Sequence, residues 1–125
     1  MSNIERFEDI EAWKKARKLA QKIYKITGSG EFAKDWTLKD QVRRASISIM
    51  SNIAEGYGRK TDKEFIQFLY IAMGSIFELQ SQIYMALDLS YMSKEEFKDI
   101  FTTSNEVAKL TGGFIKYLKK TKTTD

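Results

Sequence analysis

The chain has 125 residues, 30% of them charged, a formal net charge of +4, and no proline, cysteine or histidine. Without cysteine there are no disulfides, thiolate nucleophiles or cysteine-based zinc sites, and without histidine the commonest general base and metal ligand is missing. Ser-His-Asp and Cys-His catalysis is therefore excluded; carboxylate, lysine, tyrosine and serine chemistry remain, and no spacing groups those residues into a set.

The opening MSNIERFEDIEAW is charged and lacks the apolar run of a secretory signal. No stretch approaches the roughly 20 apolar residues that span a bilayer. The expectation is a cytoplasmic protein with no membrane contact, one domain over residues 1–125, large enough to bury a core. A pI near 9.2 is moderately basic and licenses nucleic-acid binding as a hypothesis.

In chain order, the residues up to Phe7 read as an arm whose aromatic ring packs down. From Ile10 to Thr27, Trp13, Ala16, Ala20 and Ile23 share a helical face, with Leu19 and Ile26 beside them. The opposite face carries Lys14, Lys15, Arg17, Lys18, Lys22 and Lys25, so this first helix has one dry and one wet side. Gly28 and Gly30 end it, as glycine does at helix C-caps. In the connector SGEFAKDW, Phe32 and Trp36 are both expected to fold back onto the bundle end. Thr37 and Asp40 form a weak capping box that opens the second helix.

Residues 41–60, QVRRASISIMSNIAEGYGRK, organise the rest of the chain. Val42, Ala45, Ile49 and Ile53 form one apolar series, and Ile47, Met50, Ala54 and Tyr57 a second, rotated around the axis. A helix apolar on two sides is buried on two sides, by its own bundle or by another subunit. Ser46, Ser48 and Ser51 are small enough for a neighbouring backbone to approach. Asn52 and Glu55 are polar residues in this apolar context, and a buried carboxylate requires a partner, for which Arg43 or Arg44 is at hand. The pair reads as a structural hydrogen-bond network at the exit turn marked by Gly56 and Gly58, or as a Glu55 general base without a visible partner.

Thr61 to Glu64 has the capping-box form and opens a third helix. Phe65, Leu69, Ala72, Ile76, Leu79, Ile83 and Leu87 trace its core stripe, and Ile66, Tyr70, Met73, Phe77 and Tyr84 a second one. Ser93 to Glu96 opens a fourth helix, lined by Phe97, Ile100, Phe101, Val107, Ala108, Phe114, Ile115 and Leu118. Gly112 and Gly113 inside it cost roughly 1 kcal/mol each relative to alanine, so either a kink or a close neighbour is expected there. The lysine-rich end, Lys116, Lys119, Lys120 and Lys122, closes in a polar tail that frays.

Helices over about 10–27, 38–57, 62–89 and 94–120, joined by short connections and without strand patterns, predict an all-α, antiparallel up-down-up-down four-helix bundle. Each helix needs only one apolar stripe for that core. The second stripes, with Met50, Tyr70, Met73, Phe77 and Tyr84, point either to a homo-oligomer interface on the second and third helices or to a wide monomeric core.

Several blocks follow one another in order: Ala12-Trp13-Lys14-Lys15-Ala16, Gln41-Val42-Arg43-Arg44-Ala45 with Ser48, and Asn52-Ile53-Ala54-Glu55-Gly56. Glu64-Phe65 with Phe68-Leu69, and Gly74-Ser75 with Glu78-Leu79, continue the series. The succession spans nearly the whole chain and resembles the four-helix-bundle proteins encoded in the intervening sequences of bacterial 23S ribosomal RNA genes. The resemblance implies a small cytoplasmic bacterial bundle that assembles as a ring, typically a pentamer, with no known enzymatic activity, and no cofactor is expected. A related branch is the accessory variability protein of diversity-generating retroelements, which binds nucleic acid and a reverse transcriptase through a basic surface. Carried over to this chain, the family pattern falls on Trp13, Arg43, Arg44, Ser48, Asn52, Glu55, Gly56, Gly74, Ser75 and Glu78. By that pattern Gly74 and Ser75 permit close helix packing, and Glu78 meets an arginine across the bundle or a subunit boundary.

Three functions are weighed. The first is a non-catalytic, ring-forming scaffold that binds RNA or DNA electrostatically, through Lys14, Lys15, Lys18, Lys22, Arg43, Arg44, Arg59 and Lys60. The second is an adaptor for a protein partner, such as an accessory subunit of a reverse transcriptase. The third is an enzyme, for instance a nuclease; metal-dependent nucleases need clustered carboxylates, and here the acids are scattered or serve as helix caps, so no catalytic or metal residue is assigned. Asn52, Glu55 and Glu78 are assigned to a structural polar network.

Overall fold

The computed structural model describes residues 4–123; the first three residues of the expected arm and the last two of the tail lie outside them. A 3-10 turn, Phe7–Asp9, precedes five helices: α1 Glu11–Thr27, α2 Gly30–Lys34, α3 Trp36–Tyr57, α4 Asp62–Asp88 and α5 Lys94–Thr123. Four are long, and α2 is a short helix inside what the sequence suggested was connector. The turn before α1 seats Phe7 edge-on against Trp13, with ring centroids 5.0 Å apart, so the arm's aromatic does pack down.

The four long helices form a bundle in the order α1, α3, α4, α5, each packing mainly on its two neighbours. Cross-helix pairs show that neighbours run antiparallel. On α1 and α5, Lys22 meets Asp99 while Lys15 meets Glu106. On α4 and α5, Gln80 bonds Ser104 while Tyr70 bonds Lys119. Ala16, Leu19 and Ile23, then Val42, Ile49 and Ile53, then Leu69, Ile76, Leu79 and Ile83, then Ile100 and Val107 close the core with almost no exposure. Full burial of one such aliphatic side chain is worth about 1.5–3 kcal/mol.

The connection between α1 and α3 departs from expectation. Gly28, at the end of α1, keeps right-handed backbone angles, and only Gly30 takes a positive φ, at 65°, where it opens α2. That turn drives Phe32 into the bundle end, 1% exposed, but leaves Trp36 74% exposed. The reason is the cap. Asp35, rather than Thr37, starts α3 by accepting the Leu38 N–H at 3.1 Å, which places Trp36 on the solvent side of the first turn. Tyr91, from the loop between α4 and α5, packs on Phe32 instead, at 5.3 Å.

Both other expected N-caps form, but only one as a full box. Thr61 accepts the Glu64 N–H, and the Ser93–Glu96 box is reciprocal, with bonds of 3.1 and 2.8 Å. The exit of α4 is a Schellman turn: Tyr91 N–H bonds the Ala86 carbonyl, Ser90 N–H bonds that of Leu87, and Ser90 sits at φ 60°.

Asp35 ties the two loops at this end together, because its second oxygen accepts the Tyr91 hydroxyl at 2.9 Å. The Leu38 amide and then the Tyr91 hydroxyl hold its carboxyl below the usual carboxylate range, and the bond to Asp35 pushes Tyr91 above its own. A lowered acid stabilises the fold above its unfolded pKa and loses that contribution as pH falls through the folded one; a raised tyrosine stabilises below its unfolded pKa and loses it as pH rises through the folded one. Tyr91→Phe should therefore lower Tm by about 3 °C near neutrality, one hydrogen bond's worth for a chain of this size. The gap to wild type should close at both acid and alkaline extremes. Thermal melts across pH measure it, and a gap that is the same at every pH would sink the linkage.

Gly112 and Gly113 neither break α5 nor admit a neighbour within this chain, since an added Cβ at either meets nothing within 4 Å.

Candidate functional site

The α3–α4 contact carries a short polar seam. Ser48 and Ser75 share a hydrogen bond of 2.8 Å, and the Asn52 amide donates to both the Ser48 carbonyl and its hydroxyl, at 2.8 and 3.0 Å. Small side chains let the helices approach here, and the amide closes the seam with the i, i+4 spacing of one helical face.

Glu55 does not join it. The carboxylate is exposed and paired at 3.1 Å with Arg59, just past the end of α3, so its expected burial is overturned in this chain. The cause is helical phase: Ile53 and Gly56 take the inward positions, which turns residue 55 outward. Glu78 is also exposed and makes no ion pair among the described residues, and Gly74 lies on the outer face with open space where a Cβ would stand. Within one chain, then, Gly74 is not at a close helix crossing. Glu55→Gln should change unfolding free energy by at most about 1 kcal/mol, the range of an exposed ion pair. A denaturant titration that gave a loss several times larger would restore a buried role for the carboxylate.

The expected basic residues do not form one patch. Lys14 pairs with Glu11 at 3.4 Å, Lys15 with Glu106 at 3.7 Å, and Lys22 with Asp99 at 2.8 Å and Thr103 at 3.1 Å. Arg44 pairs with Asp40 at 2.8 Å. Arg43 is spent on the end of α1, where it donates to the Thr27 hydroxyl at 2.8 Å and lies 4.4 Å from the Tyr24 ring centre. Lys18 and Lys60 are exposed, with no ion pair among the described residues. Arg43 lies on α3 and Arg59 just past its end, and the helix from Arg43 to Tyr57 rises about 21 Å, so they mark opposite parts of the bundle.

Of the expected interface residues, Tyr70, Phe77 and Tyr84 stand 50%, 57% and 51% exposed on the outer face of α4, whereas Met50 and Met73 are half-buried against the core. Ile71 and Met85 extend the same face, and Ile47, which the spacing put in the second stripe of α3, contributes from that helix; the sequence reading missed Ile71 and Met85 in that role. Their signal was the seven-residue spacing, since 71 and 85 stand beside 70, 77 and 84. Tyr84 leans on Phe97 and Phe101 of α5, at 4.9 and 5.5 Å, so one edge of the strip is already packed.

At the end where α3 turns into α4, Tyr57, Arg59, Lys60, Phe65, Phe114 and Tyr117 line a cleft of about 230 Å³. At the opposite end, a cleft of about 530 Å³ between α1 and α5 is walled by Lys22, Lys25, Glu96 and Asp99, whose charges offset one another. Among the described residues no group of three or more acidic side chains could hold a metal ion, and no helix is long and apolar enough to cross a membrane.

The profile of the family described as 23S rRNA-intervening sequence protein matches residues 8–113, and the chain belongs to that family. A crystal structure of a protein of unknown function from the S23 ribosomal protein family of Bacteroides thetaiotaomicron superposes with a TM-score of 0.77 at 26% identity, over 84% of this chain and 98% of the other. Comparison with curated proteins finds no match.

Proposed function

We propose that this member of the 23S rRNA-intervening sequence protein family is a non-enzymatic, cytoplasmic scaffold. It assembles with copies of itself into a ring, a pentamer by the family resemblance, and offers nucleic acid a repeated, weakly binding basic surface. The observation that carries the reading is the outer face of α4, where Tyr70, Ile71, Phe77, Tyr84 and Met85 are each at least half exposed along one helix. An aromatic-rich strip of this kind is a mark of association surfaces. Repetition in a ring multiplies modest phosphate contacts into useful avidity. Its test is the molar mass in solution by light scattering, expected at about five times the 14.5 kDa of one chain. A mass equal to one chain ends the scaffold reading.

A second reading, an adaptor for a protein partner, is favoured by Trp36. Among the described residues it is the most exposed of the large apolar side chains, and it has the Lys39 ammonium 3.8 Å from its ring centre. Tryptophan is one of the residues enriched at binding hot spots. A reverse transcriptase reading frame beside the gene would favour this reading over the first.

A further inference from the structure

We infer that the cleft at the α3–α4 turn is a single-stranded nucleic-acid site that stacks one base and holds its flanking phosphates. The inference rests on the nucleic-acid reading above and goes further, naming the place and the strandedness.

Four rings run through this end of the bundle in a chain: Tyr57 to Phe65, Phe65 to Phe114, and Phe114 to Tyr117, with centroid separations of 6.1, 5.2 and 6.1 Å. Phe65 and Phe114 are buried and form the floor, while Tyr117 stands 39% exposed at the wall. Sequence-tolerant single-strand binding combines such ring faces with cations that follow the backbone. The cations are here as well. Arg59, which pairs with Glu55 at 3.1 Å and lies 4.6 Å from the Phe68 ring centre, lines the cleft beside Lys60. On the flank, Lys119 donates to the Tyr70 hydroxyl at 2.6 Å.

Three of the four expected cations of α1, Lys14, Lys15 and Lys22, are held by acids of the same chain, and Lys18 is left without an ion pair among the described residues. At the cleft, Lys60 has no ion pair among the described residues, and Asp62 is the one acid among the lining residues. A volume of about 230 Å³ is below the roughly 300–1,000 Å³ of pockets that enclose whole cofactors, which suits one ring system entered from solvent. A base paired in a duplex cannot enter it, whereas an unpaired one can.

The test is fluorescence anisotropy of the full chain with a short labelled oligouridylate and with a duplex of the same length, across a salt series. Wild type is expected to bind the strand more tightly than the duplex. Tyr117→Ala should weaken strand binding about tenfold, within the ~1–3 kcal/mol that stacking of one base contributes. Lys60→Gln, an exposed change that leaves the core untouched, should reduce the salt slope by about 0.7. Circular dichroism of both variants checks that the helices are intact. If the duplex binds as tightly as the strand, or if both variants bind like wild type, the site is overturned while nucleic-acid binding as such stands. Loss of binding on Lys14→Gln and Lys18→Gln alone would also overturn the site, because it would place the contact on α1. If neither nucleic acid binds even at low salt, the broader nucleic-acid reading falls, and this site with it.

Discussion

Replacing Gly56 by alanine is expected to destabilise the protein by about 1–3 kcal/mol, the range for an overpacked contact between elements. A Cβ built at Gly56 stands 2.8 Å from both Phe68 Cβ and Phe65 Cδ1, and 3.2 Å from the Phe65 carbonyl oxygen. The ring edge of Phe65 can swing away. Phe68 Cβ and the Phe65 carbonyl are fixed to the first turns of α4, so the added methyl group must push the two helices apart where they meet most closely. Gly58 is the internal control. Its φ is −75°, and its nearest would-be contacts are carbonyls at 3.5 and 3.9 Å, so Gly58→Ala should be neutral or stabilising by up to about 1 kcal/mol. Denaturant titration of the two variants side by side measures the difference. Equal effects would mean that close approach is not what requires glycine at 56.

If the proposed ring forms, Phe77→Lys is expected to dissociate it while leaving the bundle intact. Tyr70, Gly74, Phe77, Ser81 and Tyr84 follow one another at alternating steps of four and three, which puts ring, small residue, ring, small residue, ring along one seam. Phe77 is the most exposed of the three rings and stands at its middle. Losing a central aromatic anchor typically costs at least about 2 kcal/mol per interface, roughly a 30-fold weakening, and a lysine adds the burial of a charge. Light scattering should show the mass falling toward the single-chain 14.5 kDa, with an unchanged helical spectrum. Gly74→Ala probes the same seam by its sign. Nothing in the chain lies within 4 Å of its would-be Cβ, so an isolated chain should gain about 1 kcal/mol of helix stability. If a neighbouring backbone sits against Gly74, the same substitution weakens assembly instead. A full-size assembly in both variants would show that α4's outer face is not the interface.

The helices were legible because their signals are local. Apolar residues at steps of three and four, the Thr61 and Ser93 boxes and the absence of proline act within one or two turns, and the core stripes of α1, α3 and α4 lie where the periodicity put them. Trp36 was misplaced because a hydrophobic ring next to a helix start can point either way. The choice was made by Asp35 taking the cap and by Tyr91, far away in sequence, taking the space over Phe32. Glu55 was misplaced by a single step of helical phase.

The candidate sites were less legible for a related reason. A run of lysines in a sequence carries no record of the acids facing it, and Glu106 and Asp99, which hold Lys15 and Lys22, come from a helix more than 75 residues further on. The ring cleft is invisible for the same reason, since Tyr57, Phe65, Phe114 and Tyr117 come from three helices and converge only when α5 returns to the α3–α4 turn. By itself the sequence determined the helix number within one short turn of chain, the core faces, and the chemistry that missing cysteine and histidine exclude, because these depend on composition and on contacts a few residues apart. Only the tertiary structure decided which cations are already neutralised, which rings meet, and which apolar face is left uncovered, because each depends on side chains that packing brings together from distant parts of the chain.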